Sequence, residues 1–231
     1  MSGPAVLVVG AGGGCGTSLV AGALALCWSA AGRGCWLLDL DLDRGDLAAA
    51  WGLPADRTIA DLAPVAAELA PAHVRAASFP HPSGVTALCA PGVPGAERRW
   101  EADGVARLVR VVAGEGTLVI DGGSALCPPA AAAAGGVRHR LVVCRATVAS
   151  ARRARRALDE IGGDGARVVL NPGPGRGELS ARALGRALGA PVAAELPWAA
   201  SEAAVLSAGG WPRGGRARLR AAVEALAEGL A

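Results

Sequence analysis

Residues 5–18 read AVLVVGAGGGCGTS, and this stretch decides the fold. The apolar, largely β-branched run from Ala5 to Val9 predicts a buried parallel strand. The apolar run from Leu19 to Ala31 predicts a helix. Between them lie five glycines in seven positions: Gly10, Gly12, Gly13, Gly14 and Gly16. A strand, a glycine loop and a helix N-terminus in this order predict a phosphate site, because such a loop leaves backbone N–H groups open to an anion.

The spacing of this loop is close to that of a P-loop, but the lysine is missing. In a P-loop, a lysine follows the last glycine and reaches the β- and γ-phosphates, and the next residue holds Mg²⁺ through its hydroxyl. Here Thr17 occupies the lysine position, Ser18 occupies the hydroxyl position, and Ala11 replaces the first glycine. The motif is therefore broken at two positions, although the hydroxyl is kept.

Two other interpretations of the loop stay open. A dinucleotide fingerprint, GxGxxG, fits Gly10 and Gly12, but its third glycine falls on Cys15. Asp39 also lies somewhat beyond the usual distance of about 20 residues to the ribose-binding acid. A glycine-rich turn without any ligand is the other interpretation, and it is disfavoured because five glycines cost more backbone entropy than a turn requires.

Strands alternate with helices along the rest of the chain. The predicted strands are 5–9, 35–40, 85–90, 117–120, 140–144, 167–170 and 192–195. The predicted helices are 19–31, 47–53, 58–69, 101–113, 128–136, 148–161, 178–188, 201–208 and 216–230, and residues 71–83 are predicted to be a loop. The strands are unbroken apolar runs, which indicates an α/β, doubly wound, mainly parallel sheet with helices on both faces. No long linker interrupts the pattern, so we expect a single domain over 1–231.

Composition points to a cytoplasmic protein. The net charge of +3 is mild and does not by itself indicate a nucleic-acid partner. All 23 basic residues are arginine, a coding bias that gives single Arg-for-Lys choices little meaning. The six cysteines form no CxxC pair and fall mostly in apolar segments, which predicts reduced, buried side chains. No secretory signal pattern is present, and the run from Leu19 to Ala31 is too short to span a bilayer.

Acidic residues follow two of the predicted strands. Asp39 and Asp41 come at the end of the second strand, and Asp121 follows the apolar run TLVI. Carboxylates at the carboxyl ends of parallel strands lie on the ligand edge of a doubly wound sheet. For Asp121 we favour a role in holding Mg²⁺ through water, and the alternative is a helix N-cap or loop acid.

The order and spacing of these motifs resemble the deviant Walker A ATPases of the MinD/ParA group. The motifs are GAGGGCGTS, LLDLDLDRGDLA, TLVIDGG, VVLNPGPG and ELPWAASEAAVLSAGGWP. Within the group, the chain is most similar to the CpaE/TadZ branch, with its actinobacterial septum-site-determining and Flp-pilus relatives. The resemblance implies a P-loop NTPase that binds ATP and Mg²⁺, forms a homodimer, and positions pilus, secretion or cell-division machinery. Relatives often carry an N-terminal receiver-like domain, and we expect none here because the chain starts at the first strand.

The resemblance also implies a role for the loop. The family's loop, KGGxGKT, aligns with residues 12–18, which implies nucleotide binding by Gly12, Gly13, Gly14, Cys15, Gly16, Thr17 and Ser18. The family's signature lysine, which reaches across a dimer to the partner's phosphates, falls on Gly12. The P-loop lysine falls on Thr17. Both amines are lost in this chain.

Five further positions receive roles from the same resemblance. Asp39 and Asp41 align with the family's catalytic acids, of which the second helps to position the attacking water. Asp121 aligns with the Walker B acid and would hold Mg²⁺ through water, together with Ser18. Asn171 aligns with the asparagine that contacts adenine, and Pro197 lies in the late loop near the base.

The lost lysines predict nucleotide binding with weak or absent hydrolysis. Lysine supplies charge where it develops during phosphoryl transfer, whereas the loop N–H groups, the helix dipole and the Ser18 hydroxyl remain. A second hypothesis is an active ATPase in which Arg33, Arg44 or Arg176 supplies the cation. A third is a Rossmann-type dinucleotide-dependent oxidoreductase, against which the chain shows no second substrate domain and no evident catalytic histidine or tyrosine.

Two segments that contain clustered arginines could contact nucleic acid or a membrane, but each has a preferred interpretation that involves neither partner. The run RRARR at 152–156 predicts a solvated helix face, with DNA or an acidic partner as the alternative. The terminal helix places Leu219, Val223, Leu226 and Leu230 on one stripe, which predicts packing on the domain ahead of membrane binding. The resemblance leaves recruitment of a cytoplasmic protein to a pole, the septum or the inner membrane face open.

Overall fold

An eight-stranded sheet forms the centre of the computed structural model, which describes residues 3–124, 127–162, 165–174, 177–214 and 217–231. The strands are β1 Ala5–Gly10, β2 Cys35–Asp39, β3 Phe79–Pro80, β4 Val85–Leu88, β5 Thr117–Ser124, β6 His139–Cys144, β7 Ala166–Leu170 and β8 Val192–Glu195. Their spatial order is β3-β4-β2-β5-β1-β6-β7-β8. All neighbours are parallel except β3 and β4. The chain starts near the middle and winds outward in both directions, which confirms the predicted doubly wound sheet.

Helices connect the strands and cover both faces of the sheet. They are α1 Thr17–Ala30, α2 Leu47–Ala50, α3 Pro71–Ala77, α4 Ala102–Gly114, α5 Pro128–Ala134, α6 Val148–Glu160, α7 Ala181–Leu188, α8 Ala200–Ser207 and α9 Arg218–Glu228. Two 3₁₀ segments, Ile59–Glu68 and Ala96–Arg99, complete the connections, and the first is kinked at Val65. Thr58 caps that first segment, because its hydroxyl accepts the Ala60 N–H at 3.2 Å.

The central strands divide the core into two layers. On β1, Leu7 and Val9 pack into the layer that contains α4, α5 and α6, whereas Val6 and Val8 pack into the layer that contains α1 and α9. Successive strand side chains point to opposite faces, so a strand that is covered on both faces must be apolar at every position. This is why the strands read as unbroken apolar runs.

The prediction of a loop at 71–83 was wrong. Residues Pro71–Ala77 form α3, which begins with a proline whose fixed φ suits the first helical position. The His73 Nδ1 accepts the Ala70 N–H at 3.2 Å and so caps the helix start. Phe79–Pro80 then forms the edge strand β3, a position that tolerates proline. The short, polar pattern concealed both elements because neither provides a long apolar run.

Strand β5 also differs from its prediction. It continues past the apolar run to Ser124, so Asp121 lies within the strand and not after its end. The Cα of Asp121 pairs with Asp39 on β2 and with Val8 on β1. Beyond Asp121 the strand pairs, within the described residues, only with β1, where Gly10 pairs with Ser124 after a shift in register, and this pairing extends the strand through two glycines of low strand propensity.

The terminal helix α9 packs on the domain, as the sequence predicts. Leu219, Val223 and Leu226 are buried in the layer that contains α1. The predicted first residue of this helix, Arg216, lies outside the described residues. All six cysteines are buried and unpaired. Among the described residues, no helix is long and apolar enough to cross a membrane.

Candidate functional site

The carboxyl ends of β1, β2 and β5 meet at one edge of the sheet. The glycine loop follows β1, Asp39 ends β2, and Asp121 lies directly across from Asp39 on β5. Loops that follow neighbouring parallel strands converge at this edge, where doubly wound folds bind ligands. The topology therefore brings together three segments that are far apart in the sequence.

The glycine loop is held close to its neighbours at both ends. A Cβ on Gly10 would collide with Thr17 Oγ1 and lie 3.1 Å from Cys15 Sγ. Gly16 has φ 91°, which side chains rarely adopt, and a Cβ there would collide with the Asn171 amide. These contacts explain why glycine is required at both ends, and they set the N-terminus of α1 directly behind the loop.

A cleft of about 430 Å³ opens over this loop. The predicted site residues that line it are Gly12, Gly13, Gly14, Gly16, Thr17, Ser18 and Asp41. Residues that sequence reasoning did not assign to the site also line it: Leu19, Gly123 and Ser207. Arg44, suggested only as one of three alternative cations, completes the lining. Glycine is required at position 123, because a Cβ there would lie 2.5 Å from the carboxyl carbon of Asp41. Ser207 reaches the cleft from α8, and no sequence pattern predicted this position.

Ser18 and Asp121 lie together at the back of the cleft. The Ser18 hydroxyl hydrogen-bonds to the Asp121 carboxylate, which also accepts the Gly123 N–H at 3.0 Å. Asp121 is 2% exposed, and burial raises its pKa to about 6, against the lowering effect of these two hydrogen bonds. A hydroxyl beside a carboxylate offers the oxygen ligands that Mg²⁺ prefers, so these two residues fit the ion.

The two acids that follow β2 occupy different environments. Asp39 is 1% exposed and accepts the Asp41 N–H at 3.0 Å. Burial, and then the charge of Asp121, raise the pKa of Asp39 well above its usual range. Asp41 is partly exposed and lines the cleft, whereas Asp39 does not. Of the two predicted catalytic acids, only Asp41 reaches the cleft, and Asp39 lies behind it.

Thr17 does not mimic the missing lysine. Its side chain is 9% exposed, and Oγ1 lies against Gly10, toward the base of the loop. A threonine side chain is also short and uncharged, so it cannot supply the positive charge of a P-loop lysine. The position that would hold the P-loop lysine therefore contributes packing and a backbone N–H.

Asn171 lies next to the loop, and neither Asn171 nor Pro197 lines the cleft. The Asn171 amide Nδ2 donates to the Cys15 carbonyl at 2.9 Å. Cys15 itself is buried, and its Sγ donates to the Gly12 carbonyl. Pro197 is half-buried just after β8, where the Leu196 N–H donates to the Leu170 carbonyl at 2.8 Å.

The three suggested substitute cations fall in different places. Arg44 lies at the cleft, where its Nε is 3.6 Å from an Asp41 carboxylate oxygen. Arg33 lies in a separate depression between α1 and α9, beside Trp211 and Glu228. Arg176 lies outside the described residues. Of the two suggested cations that lie within the described residues, Arg33 and Arg44, only Arg44 lies at the predicted phosphate site.

The RRARR run is a partly engaged helix face. All four of its arginines are exposed on α6. Two of them nevertheless donate to backbone carbonyls: Arg153 to Ala11 at 2.9 Å and Arg155 to Leu188 at 3.0 Å. Arg155 also pairs with Asp159 at 3.4 Å. Part of this basic face is therefore used within the protein.

Comparison with known proteins identifies similar structures at low sequence identity. No family model matches the chain, and no curated protein sequence matches it. A ParA family ATPase from Chlorobium tepidum is similar with a TM-score of 0.84 at 17% identity, over 99% of both chains. The septum site-determining protein MinD from Pyrococcus horikoshii, solved with Mg-ADP, has a TM-score of 0.78 at 19% identity, over 99% of this chain and 96% of that one.

A third similar structure is a MinC:MinD cell division protein complex from Aquifex aeolicus. It has a TM-score of 0.75 at 16% identity and covers 98% of this chain and 95% of that one. The agreement extends over nearly the whole length of each protein, so it concerns the complete arrangement of strands and helices. The chain therefore has the doubly wound fold found in ParA and MinD ATPases.

Proposed function

We propose that this protein is a CpaE/TadZ/MinD-like nucleotide-binding factor that binds Mg-ATP through a degenerate P-loop and positions or assembles pilus, secretion or septum machinery. The observation that carries the proposal is the cleft itself. It joins a glycine loop at a helix N-terminus to Ser18 and, behind it, Asp121, while neither Gly12 nor Thr17 supplies an amine.

The cleft keeps the parts of a P-loop that bind phosphate. Backbone N–H groups and the positive end of α1 attract phosphate oxygens. Ser18 and Asp121 would hold Mg²⁺, which would neutralise part of the phosphate charge. Asn171 and Pro197 lie beyond the loop, on the side where β7 and β8 end, and we assign them to the adenine end of the site.

The cleft lacks the parts that accelerate hydrolysis. Removing one preorganised charge or donor at the developing charge costs about 3 kcal/mol of barrier, or about 10²- to 10³-fold in rate. Two lysines are missing here, so we expect nucleotide exchange to outpace hydrolysis. Asp41, which reaches the cleft, is the residue we assign to positioning a water molecule.

The assembly role is supported by the shared fold. One similar structure is a MinD with Mg-ADP, and another is a MinD in complex with MinC. We propose that nucleotide occupancy in this protein likewise controls association, with a second copy and with machinery proteins, in the cytoplasm. Recruitment to a pole, the septum or the inner membrane face would follow from those partners.

A second candidate is an active ATPase in which Arg44 supplies the missing cation. Arg44 is the observation that favours it, because its side chain lines the cleft beside Asp41. It is also 69% exposed, so it could turn toward a phosphate without breaking a buried contact. The first candidate needs no such movement.

Calorimetric titration and a phosphate-release assay test these proposals together. We expect the wild-type protein to bind Mg-ATP and Mg-ADP but not NADPH, with hydrolysis near background. Asp121→Ala is expected to weaken Mg-nucleotide binding at least tenfold, whereas Asp159→Ala, a change to an exposed acid on α6, leaves it unchanged.

The outcomes separate the candidates. Turnover at an ordinary ATPase rate that falls in Arg44→Gln establishes the second candidate and overturns the first. Binding of NADPH in place of ATP indicates the dinucleotide-dependent class. A wild-type protein that binds no nucleotide overturns every nucleotide-based proposal.

A further inference from the structure

The carbonyl groups of the glycine loop are held from outside by side chains of other segments. Arg153 Nε donates to the Ala11 carbonyl at 2.9 Å, and Arg145 donates to the Gly14 carbonyl at 3.2 Å. Asn171 Nδ2 donates to the Cys15 carbonyl at 2.9 Å. Cys15 Sγ completes the set from within the loop, because it donates to the Gly12 carbonyl. We call Arg145, Arg153 and Asn171 the carbonyl clamp.

Holding these carbonyls fixes the direction of the N–H groups. A trans peptide is planar, and its C=O and N–H point in opposite directions. All peptide bonds of the described residues are trans. When the carbonyls of Ala11 and Cys15 point outward to the clamp, the N–H groups of Gly12 and Gly16 must point the other way. Within the described part of the chain, neither N–H donates to a protein acceptor.

The clamp residues come from elements that the sheet places beside the loop. Arg145 directly follows β6, Arg153 lies on α6, and Asn171 directly follows β7. Strand β6 pairs with β1, and β7 pairs with β6, so the ends of these strands rise next to the loop. The loop is therefore buttressed by rigid neighbours and not by its own glycine backbone, which has little intrinsic preference for one conformation.

Arg153 also occupies the space that a side chain at position 12 would need. A Cβ on Gly12 would lie 2.9 Å from Arg153 Nε, and Gly12 has φ 152°. A side chain at position 12 would therefore push the Arg153 guanidinium out of its observed place. The absence of a side chain at Gly12 is what allows a guanidinium to contact the loop from α6.

We infer that the carbonyl clamp, and Arg145 and Arg153 above all, replaces the lost lysines as the device that prepares the loop for phosphate. The clamp residues act through the loop backbone, so they are positioning residues. Two guanidinium groups bonded to the loop also raise the local positive potential, which favours an anion. This inference rests on the proposed nucleotide-binding function and specifies which side chains sustain it.

The test compares phosphate binding with nucleoside binding. Calorimetry with tripolyphosphate, Mg-ATP and adenosine is applied to Arg145→Gln, Arg153→Gln and the double variant. We expect each single change to weaken tripolyphosphate and Mg-ATP binding about five- to tenfold, with adenosine affinity unchanged, since the net contribution of a typical intramolecular hydrogen bond corresponds to a factor of about this size. Arg152→Gln is the matched control, because it removes an exposed arginine from the same helix, and it should change binding less than about twofold.

Further measurements separate positioning from general destabilisation. Arg153→Lys retains a cationic donor and should recover most of the affinity. Amide hydrogen exchange at Gly12 and Gly16 in the unliganded protein should accelerate in Arg153→Gln and stay unchanged in Arg152→Gln. If a glutamine variant does not fold, the lysine variant and the control still report on the clamp.

Each outcome decides between the inference and the proposed function. Wild-type binding of tripolyphosphate that is unchanged in both glutamine variants overturns the clamp and leaves the proposed function standing. A parallel loss of adenosine and tripolyphosphate affinity also overturns it, because a loop-specific effect would spare adenosine. A wild-type protein that binds neither tripolyphosphate nor Mg-ATP overturns the proposed function, and it overturns the inference about the clamp as well, because that inference rests on phosphate binding.

Discussion

Replacing Asp121 with asparagine is expected to stabilise the unliganded protein at neutral pH while weakening Mg-nucleotide binding at least tenfold. Burial raises the pKa of this carboxyl from 3.8 to about 6. This difference in pKa corresponds to about 3 kcal/mol between the protonated and ionised native forms. Asparagine carries no charge, so the variant escapes this cost, and its amide oxygen can still accept the Gly123 N–H.

The pH dependence follows from the direction of the shift. Well below pH 3.8 the carboxyl is protonated in both the native and the unfolded protein, so it contributes no penalty. Between pH 4 and 6 the native protein retains a proton that the unfolded chain releases, and above pH 6 the full penalty applies. The wild-type free energy of unfolding should therefore decrease from pH 5 to pH 8, and that of Asp121→Asn should decrease less. Asp39 adds to the wild-type slope because burial and the nearby Asp121 raise its pKa as well.

Urea unfolding at pH 5, 6, 7 and 8 measures this effect. We expect Asp121→Asn to exceed the wild type by about 3 kcal/mol at pH 8 and by only about half of that at pH 5. Asp159→Asn, on the exposed face of α6, is the control and should stay within about 0.5 kcal/mol at every pH. A variant that is less stable than the wild type at pH 8, with the same pH slope, would refute the reasoning that burial destabilises the ionised form of this carboxyl.

Two further predictions concern packing. Gly10→Ala should lower the free energy of unfolding by about 1–3 kcal/mol in urea titrations, because its methyl group would collide with Thr17. Gly13→Ala is the control, since a Cβ there meets nothing within 4 Å, and it should change the free energy of unfolding by less than about 1 kcal/mol. Equal effects of the two changes would contradict this account. Leu226→Ala should lower the free energy of unfolding by about 2–5 kcal/mol, because this side chain is 4% exposed on the buried face of α9. Liposome flotation should stay negative for the wild type and the variant. A variant as stable as the wild type, or a lipid-bound protein, would show that α9 does not simply pack on the domain.

The architecture was predictable because each central strand is covered on both faces. Full burial removes polar residues from the run, so β1, β2 and β6 are visible in the sequence without any knowledge of their partners. This pattern of full burial does not apply to α3 and β3, which lie at the edge of the sheet, so neither element was predicted. An edge element needs only a few apolar contacts, and Pro71 and Pro80 are compatible with it, so its sequence resembles a loop.

The candidate site was predictable only in part. The glycine loop and Asp121 carry local signals: a backbone requirement in the first and an acid after an apolar run in the second. Arg44 had no such signal, because an arginine in a loop has many roles and only the packing of β2 beside β5 brings it to the cleft. Asp39 and Asp41 look equivalent in the sequence, and the backbone of the loop decides that one is buried and the other faces the cleft.

What the sequence determined by itself is therefore local: the strand, the glycine loop, the helix that follows, and the absence of lysine at positions 12 and 17. What only the tertiary structure decided is how that loop is held. The bonds from Arg145, Arg153 and Asn171 to the loop join residues 131, 142 and 156 positions apart. Periodicity and composition report on neighbours along the chain, whereas contacts at such separations exist only after parallel strands have brought the loop and its neighbours to one edge of the sheet.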